Sequence, residues 1–275
     1  MTGPQAADRD SRALAATGLE YRFAPPMGHD RSVTDATGAG PNADGQAARA
    51  WGDRLGWAYG LIADDPLDRA AAHVRLAQAR ERVGAAIKGY NEAFDLHRPV
   101  GRIETWPPPL REAYEAYRDA MRQVLPDALW DRPRGAIGDW AGLPYALLYL
   151  EWEARHPQEW TAQAKKWGTK QFLIRELAAS ALPATARAKL GELVDLAVRR
   201  AYRCKDREYV RVARAIDGPE LRGKLEAAAD ADDPWARLHA GYVLWLLDRP
   251  DLANSRRTWA TWCAGNGRDS VEPAR

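Results

Sequence analysis

The chain concentrates its cationic chemistry in one stretch. Residues 155–216 hold 14 Lys and Arg against 6 Asp and Glu, whereas residues 1–154 hold 18 against 22 and residues 217–275 hold 8 against 10. The whole chain sums to +2, so the positive field belongs to the middle segment, a pattern that bears on partners rather than on fold. Lys165, Lys166, Lys170 and Arg175 accompany a heptad of Trp160, Trp167 and Ile174. Farther on, Arg207, Arg211 and Arg214 step by four and three, opposite Tyr209, Val212 and Ile216. Cations on one face beside aromatic rings are the footprint of a site for a phosphate backbone. The same pattern arises when charges solvate an exposed helix face and the tryptophans fill the core. These seven side chains form the candidate set for contact with a protein partner or a nucleic acid.

Other chemistry is sparse. There is no phosphate-binding glycine loop, nucleophile elbow or zinc-protease helix motif. None of the five histidines lies three or four residues from another His or from a Cys, so helical metal-ligand spacing is absent and neither metal nor cofactor is expected. His239 reads as a surface or hydrogen-bonded residue. Glu112, Glu115 and Asp119 are spaced for paired acid–base work, yet Arg111, Arg118 and Arg122 beside them suit a salt-bridged face. Glu151 and Glu153 flank Trp152, and Glu159 precedes Trp160; an acid held against an aromatic wall can have a raised pKa. Cys204 and Cys263 are too few for a disulfide framework and suit a cytoplasmic protein. Twelve tryptophans stand against three phenylalanines; most should be core, and any others are binding anchors.

Helices must position all of these groups. Residues 1–45, punctuated by Gly and Pro, read as a disordered tail, in which Tyr21-Arg22-Phe23 is either a short docking motif or part of a solvated chain. From Gln46 onward the apolar residues recur every three or four positions and no strand pattern occurs. Residues 46–62 form a first helix. A second starts at Asp65-Pro66, runs to about residue 95, and pairs with a helix after the prolines at 107–109 as a helical hairpin. Helix 139–155 is apolar all round and so should be central. Helices at 158–180, 184–203, 206–216, 219–229 and 233–247 complete the expected all-α bundle. The apolar faces of 190–201 and 209–216 are out of phase, which predicts a break near Lys205. The expected organisation is a tail at 1–45, a hairpin subdomain at 46–130, a second helical subdomain at 131–264 and a tail at 265–275. No apolar run is long enough to span a membrane, and no secretory leader is seen.

Within residues 233–247, Asp233, Pro234, Ala236-Arg237, Ala240, Leu244 and Leu247 stand at the positions of the second helix of a HEAT repeat, which this stretch resembles. The preceding Leu221, Leu225 and Ala228 correspond to the first helix, so one unit covers 218–247. An earlier partial copy begins at Asp206, Val210 and Arg211, but Arg214 stands where the family has Ala. The resemblance implies a stacked helical solenoid in the C-terminal half, with structural roles for Asp233 and Arg237. Repeat folds of this kind mostly bind partners. The expectation is therefore a non-catalytic interaction protein. The alternatives are a nucleic-acid binder using the 155–216 surface or, more distantly, a HEAT-like DNA glycosylase with Asp139 beside Trp140.

Overall fold

The computed structural model describes residues 41–133 and 137–266. Among these residues the regular structure is all helical: eleven α-helices joined by short 3-10 turns, with no strand. The tails expected at 1–45 and 265–275 lie mostly outside the described residues. At their inner edges they give way to α1 (Pro41–Leu55) and to α11 (Arg256–Asn266), which begin and end slightly beyond the expected limits.

The chain stays α-helical to Leu55 and then tightens into a 3-10 segment, Gly56–Ile62, that buries Ala58 and Leu61. Asp65 starts α2 (Pro66–His97) by accepting the Leu67 N–H at 2.8 Å, with Pro66 as its first residue. Its stripe Leu76, Ala79, Val83, Ile87 and Tyr90 is buried. α3 (Pro108–Met121) packs on it, and Tyr90 sits among the rings of Trp106, Tyr114 and Tyr117. That is the expected helical hairpin.

α4 (Leu143–Arg155) is buried along most of its length. Every residue from Tyr145 to Ala154 is buried, including the charged Glu151 and Glu153. Two glycines ahead of α4 allow close packing against other parts of the chain. A Cβ on Gly138 would lie 2.0 Å from the Ala181 carbonyl oxygen, and one on Gly142 would strike Trp140 and Trp51 at 2.5 and 2.6 Å.

The helix expected at 158–180 is two helices, α5 (Pro157–Ala164) and α6 (Trp167–Ala179). The Tyr149 hydroxyl donates to the Ala164 carbonyl at 3.1 Å, at the residue where α5 ends. Lys165 and Lys166 leave helical geometry there, and the Trp160 and Trp167 rings fold together at 4.8 Å. α7 (Ala184–Val198) stops before residue 203. Lys205 has φ +72°, which supplies the expected break, and a 3-10 turn leads into α8 (Tyr209–Ala215). α9 (Pro219–Ala229) and α10 (Pro234–Leu247) pack as a pair. Asp233 caps α10 by accepting the Trp235 N–H at 3.0 Å. α11 then lies across α10, with Trp262 over Gly241.

Contacts cross the boundary drawn at residue 130. Trp51 meets Trp140 edge-on at 5.1 Å, Arg80 donates to Gln163 at 2.9 Å, and Lys166 reaches Asp127. No helix among the described residues is long and apolar enough to cross a membrane.

Candidate functional site

The structure places the seven sequence-selected cations at different depths. Lys165 is exposed at the joint between α5 and α6, and Lys166 pairs with Asp127. Lys170 is fully buried: its ammonium donates to Asp206 Oδ1 at 2.6 Å and lies 2.9 Å from Glu153 Oε2. It has no surface with which to meet a phosphate. Arg214 donates to the carbonyls of Leu246, Arg249 and Leu252, the last at 2.7 Å, and so ties α8 to the end of α10. Arg175, Arg207 and Arg211 do come together, around Glu208. Arg175 grips that carboxylate with two bonds of 2.8 and 3.0 Å, Arg211 donates to it at 3.0 Å, and Arg207 lies 3.7 Å away. Burial alone would raise the Glu208 pKa. The hydrogen bonds from Arg175, Gln171 and Arg211 outweigh it and hold the carboxyl down at about 2.

Lys170 belongs to an ionic cluster that sequence reasoning did not assemble. Glu153 accepts from Arg203 Nε at 2.6 Å and from Arg200 Nη2 at 2.9 Å. Asp206 accepts from Arg200 and from the Arg203 backbone N–H at 2.7 Å. Arg203 also donates to the Pro157 carbonyl and the Thr161 hydroxyl. Two carboxylates and three cations from α4, α6 and the α7–α8 loop thus pair with one another, which offsets most of the cost of burying them, while one cation is in excess and Arg200 Nε is buried without a partner. Trp167 and Tyr209 cover Lys170 as aromatic faces near 5.6 Å. Complete burial, with Glu153 and Asp206 beside it, keeps the Tyr209 phenol protonated.

Asp206 carries this cluster to the wall of a half-open cleft. The cleft has a volume of about 660 Å³ and lies between the α7–α8 loop, α10 and the start of α11. Tyr202, Trp235, His239, Tyr242 and Trp259 form its aromatic walls, with Ala197, Val198 and Val210 beneath and Arg207 and Arg256 also lining it. His239 is at the centre, with ring centroids 5.7 Å from Trp235, 5.8 Å from Trp259 and 6.4 Å from Tyr202. Burial lowers its pKa, so the ring is neutral near pH 7. Trp235 and Tyr202 are 44% and 56% exposed and lie on the same concavity.

The sequence signal for the cleft was partial. Trp235, His239 and Tyr242 recur at helical spacing on α10, but on a face different from the Ala236–Ala240–Val243–Leu247 stripe that packs inward. Nothing in local spacing brings Tyr202 and Trp259 to them. The remaining acids lie elsewhere. Glu112, Glu115 and Asp119 are exposed, and Asp119 pairs with Arg122 at 2.8 Å. Glu151 is buried and pairs with Lys189 and Arg155. Burial would raise the Glu159 pKa, but its 2.8 Å bond with His73 prevails and lowers it. Asp139 is exposed, and neither it nor Trp140 lines the cleft. Among the described residues no group of three or more His, Cys, Asp or Glu is placed to hold a metal ion.

No family model matches this chain, and no curated protein or solved structure matches it. Among the described residues the chain is all-helical, with an aromatic cleft backed by a buried ionic cluster.

Proposed function

We propose that the chain is a non-catalytic interaction protein that seats a segment of a protein partner in the cleft between the α7–α8 loop, α10 and α11. The observation that carries this reading is that Tyr202 and Trp235 are held about half-exposed on a concavity that Trp259, His239 and Tyr242 also line. Tyr and Trp supply rigid contact area at low entropic cost and dominate binding hot spots. The ionic cluster behind Asp206 supports the reading, because it fixes the loop that carries Tyr202 and so preorganises one wall. We read α9 and α10 as one HEAT-like unit; the Asp233 cap, Pro234 and the inward Ala240 and Leu247 support this. An exposed unpaired Cys204 suits a cytoplasmic setting.

The test is selection of random-sequence peptides displayed on phage against the intact chain, with counter-selection on the Trp235→Ala variant. Enrichment of peptides sharing one large apolar side chain, absent for the variant, supports the reading. Equal enrichment on both proteins, or none, overturns it.

The convergence of Arg175, Arg207 and Arg211 favours a second reading, nucleic-acid binding beside the cleft. Each phosphate contact adds about 0.9 to the slope of log affinity against log salt. Exchanging the three arginines for Glu should remove that slope, and an unchanged slope would exclude this surface.

A further inference from the structure

The cleft offers an occupant few polar atoms. Asn254 accepts from the Tyr242 hydroxyl at 2.9 Å and donates to the Arg207 carbonyl at 2.8 Å. Ser255 caps α11 by accepting the Thr258 N–H at 3.1 Å. The Asp206 oxygens are held by Lys170, Arg200 and the Arg203 N–H. What faces outward is aromatic surface and two guanidinium groups, Arg207 and Arg256. Arg207 continues into Arg175 and Arg211, whose side chains are 48% and 62% exposed while the Glu208 between them is 3% exposed. Three cations around one sunken carboxylate leave this rim positive.

We infer that the cleft selects an acidic peptide segment of the partner: one aromatic or large aliphatic side chain enters between Tyr202, Trp235 and Trp259, and flanking Asp or Glu carboxylates meet Arg207 and Arg256. This rests on the cleft being the binding site. Charge complementarity chooses the sign, because a basic segment would bring like charges against the rim. Ring geometry favours a side chain over a nucleobase. The planes of Trp235, Trp259 and Tyr202 meet that of His239 at 47°, 51° and 68°, making a cup rather than a parallel slot. The engaged polar groups, moreover, leave few donors or acceptors to read a base edge.

The experiment is fluorescence anisotropy on the full chain with three short labelled peptides that share a central Phe. One has Asp and Glu flanks, one Lys flanks and one Ser-Gly flanks; an oligothymidylate serves as a fourth probe. The acidic peptide should bind tightest and weaken as salt is added. It should lose roughly tenfold in Arg207→Ala plus Arg256→Ala, and at least as much in Trp235→Ala. All three substituted side chains are exposed, and circular dichroism checks that each variant keeps its helices. Equal affinity for the Ser-Gly peptide overturns the charge selection while leaving the cleft as a binding site. Binding that survives Trp235→Ala places the peptide elsewhere and overturns the inference together with the cleft reading. Tighter binding of the oligothymidylate overturns it in favour of nucleic acid, and silence from the whole panel overturns it outright.

Discussion

Lys170 shows why residue type alone does not assign a role. A lysine in a basic stretch suggests a surface, but this one is as buried as any leucine in the core and holds Glu153 and Asp206 together. The charge balance of its cluster makes an asymmetric prediction. Removing Lys170 leaves two carboxylates facing Arg200 and Arg203, a balanced set. Neutralising Glu153 leaves three cations on one carboxylate. Glu153→Gln should therefore cost about 3–5 kcal/mol, whereas Lys170→Met, close in volume, should cost about 1–3 kcal/mol. Urea denaturation of the two variants checks the order, and a costlier Lys170→Met would refute this account of the cluster. The aromatic residues carry a similar lesson. Trp152 and Trp160 are core fillers with no exposure, while Trp235 is left 44% exposed at the cleft, and local sequence does not separate the two classes.

Between elements, single atoms decide the joints. Glu208 binds α6 to α8 through Arg175 and Arg211, and its folded pKa of about 2 lies below the ordinary 4.5. A depressed carboxyl pKa stabilises the fold above the ordinary value and loses that contribution as pH falls toward the folded one. Water around the half-exposed arginines limits the effect to roughly 1 kcal/mol. Glu208→Gln should thus lower the urea midpoint at pH 7 and have little effect near pH 2; an equal effect at both values would show that Glu208 acts by packing alone. The approach of the 137–139 turn to Ala181 is tighter still. Gly138→Ala should destabilise by about 3 kcal/mol, because its Cβ would meet backbone rather than a yielding side chain. Asp233→Ala should cost only about 1 kcal/mol, the loss of one helix cap. Thermal melts of this pair check the ordering, which reverses if the turn at Gly138 is free to shift.

For the molecule as a whole, the contacts across residue 130 predict one cooperative transition. Trp51–Trp140, Arg80–Gln163 and His73–Glu159 join the N-terminal helices to α5 and to the turn that precedes α4, so far-ultraviolet dichroism and tryptophan fluorescence should melt together. Two separated transitions would instead establish 46–130 as an independent subdomain. Much of the architecture was legible in sequence because it is written in local rules. Period-3.6 stripes, Asp-Pro starts at 65–66 and 233–234, an apolar helix around residue 150 and a phase slip near Lys205 all act within a few turns of chain. The split of 158–180 was not legible in local spacing; its joint meets the hydroxyl of Tyr149, brought to Ala164 from another helix. The grouping of cations followed the same divide. Arg175, Arg207 and Arg211 gather because α6 packs against α8, and Lys170 is withdrawn from the surface because α4 delivers Glu153 beneath it. Local sequence sets the helical character of the chain, where most helices begin and which faces are apolar, because propensity, capping and periodicity are properties of neighbouring residues. Which charges are paired inside and which rings stay open as a cleft emerged only with the packed fold, because both depend on residues tens of positions apart meeting in space.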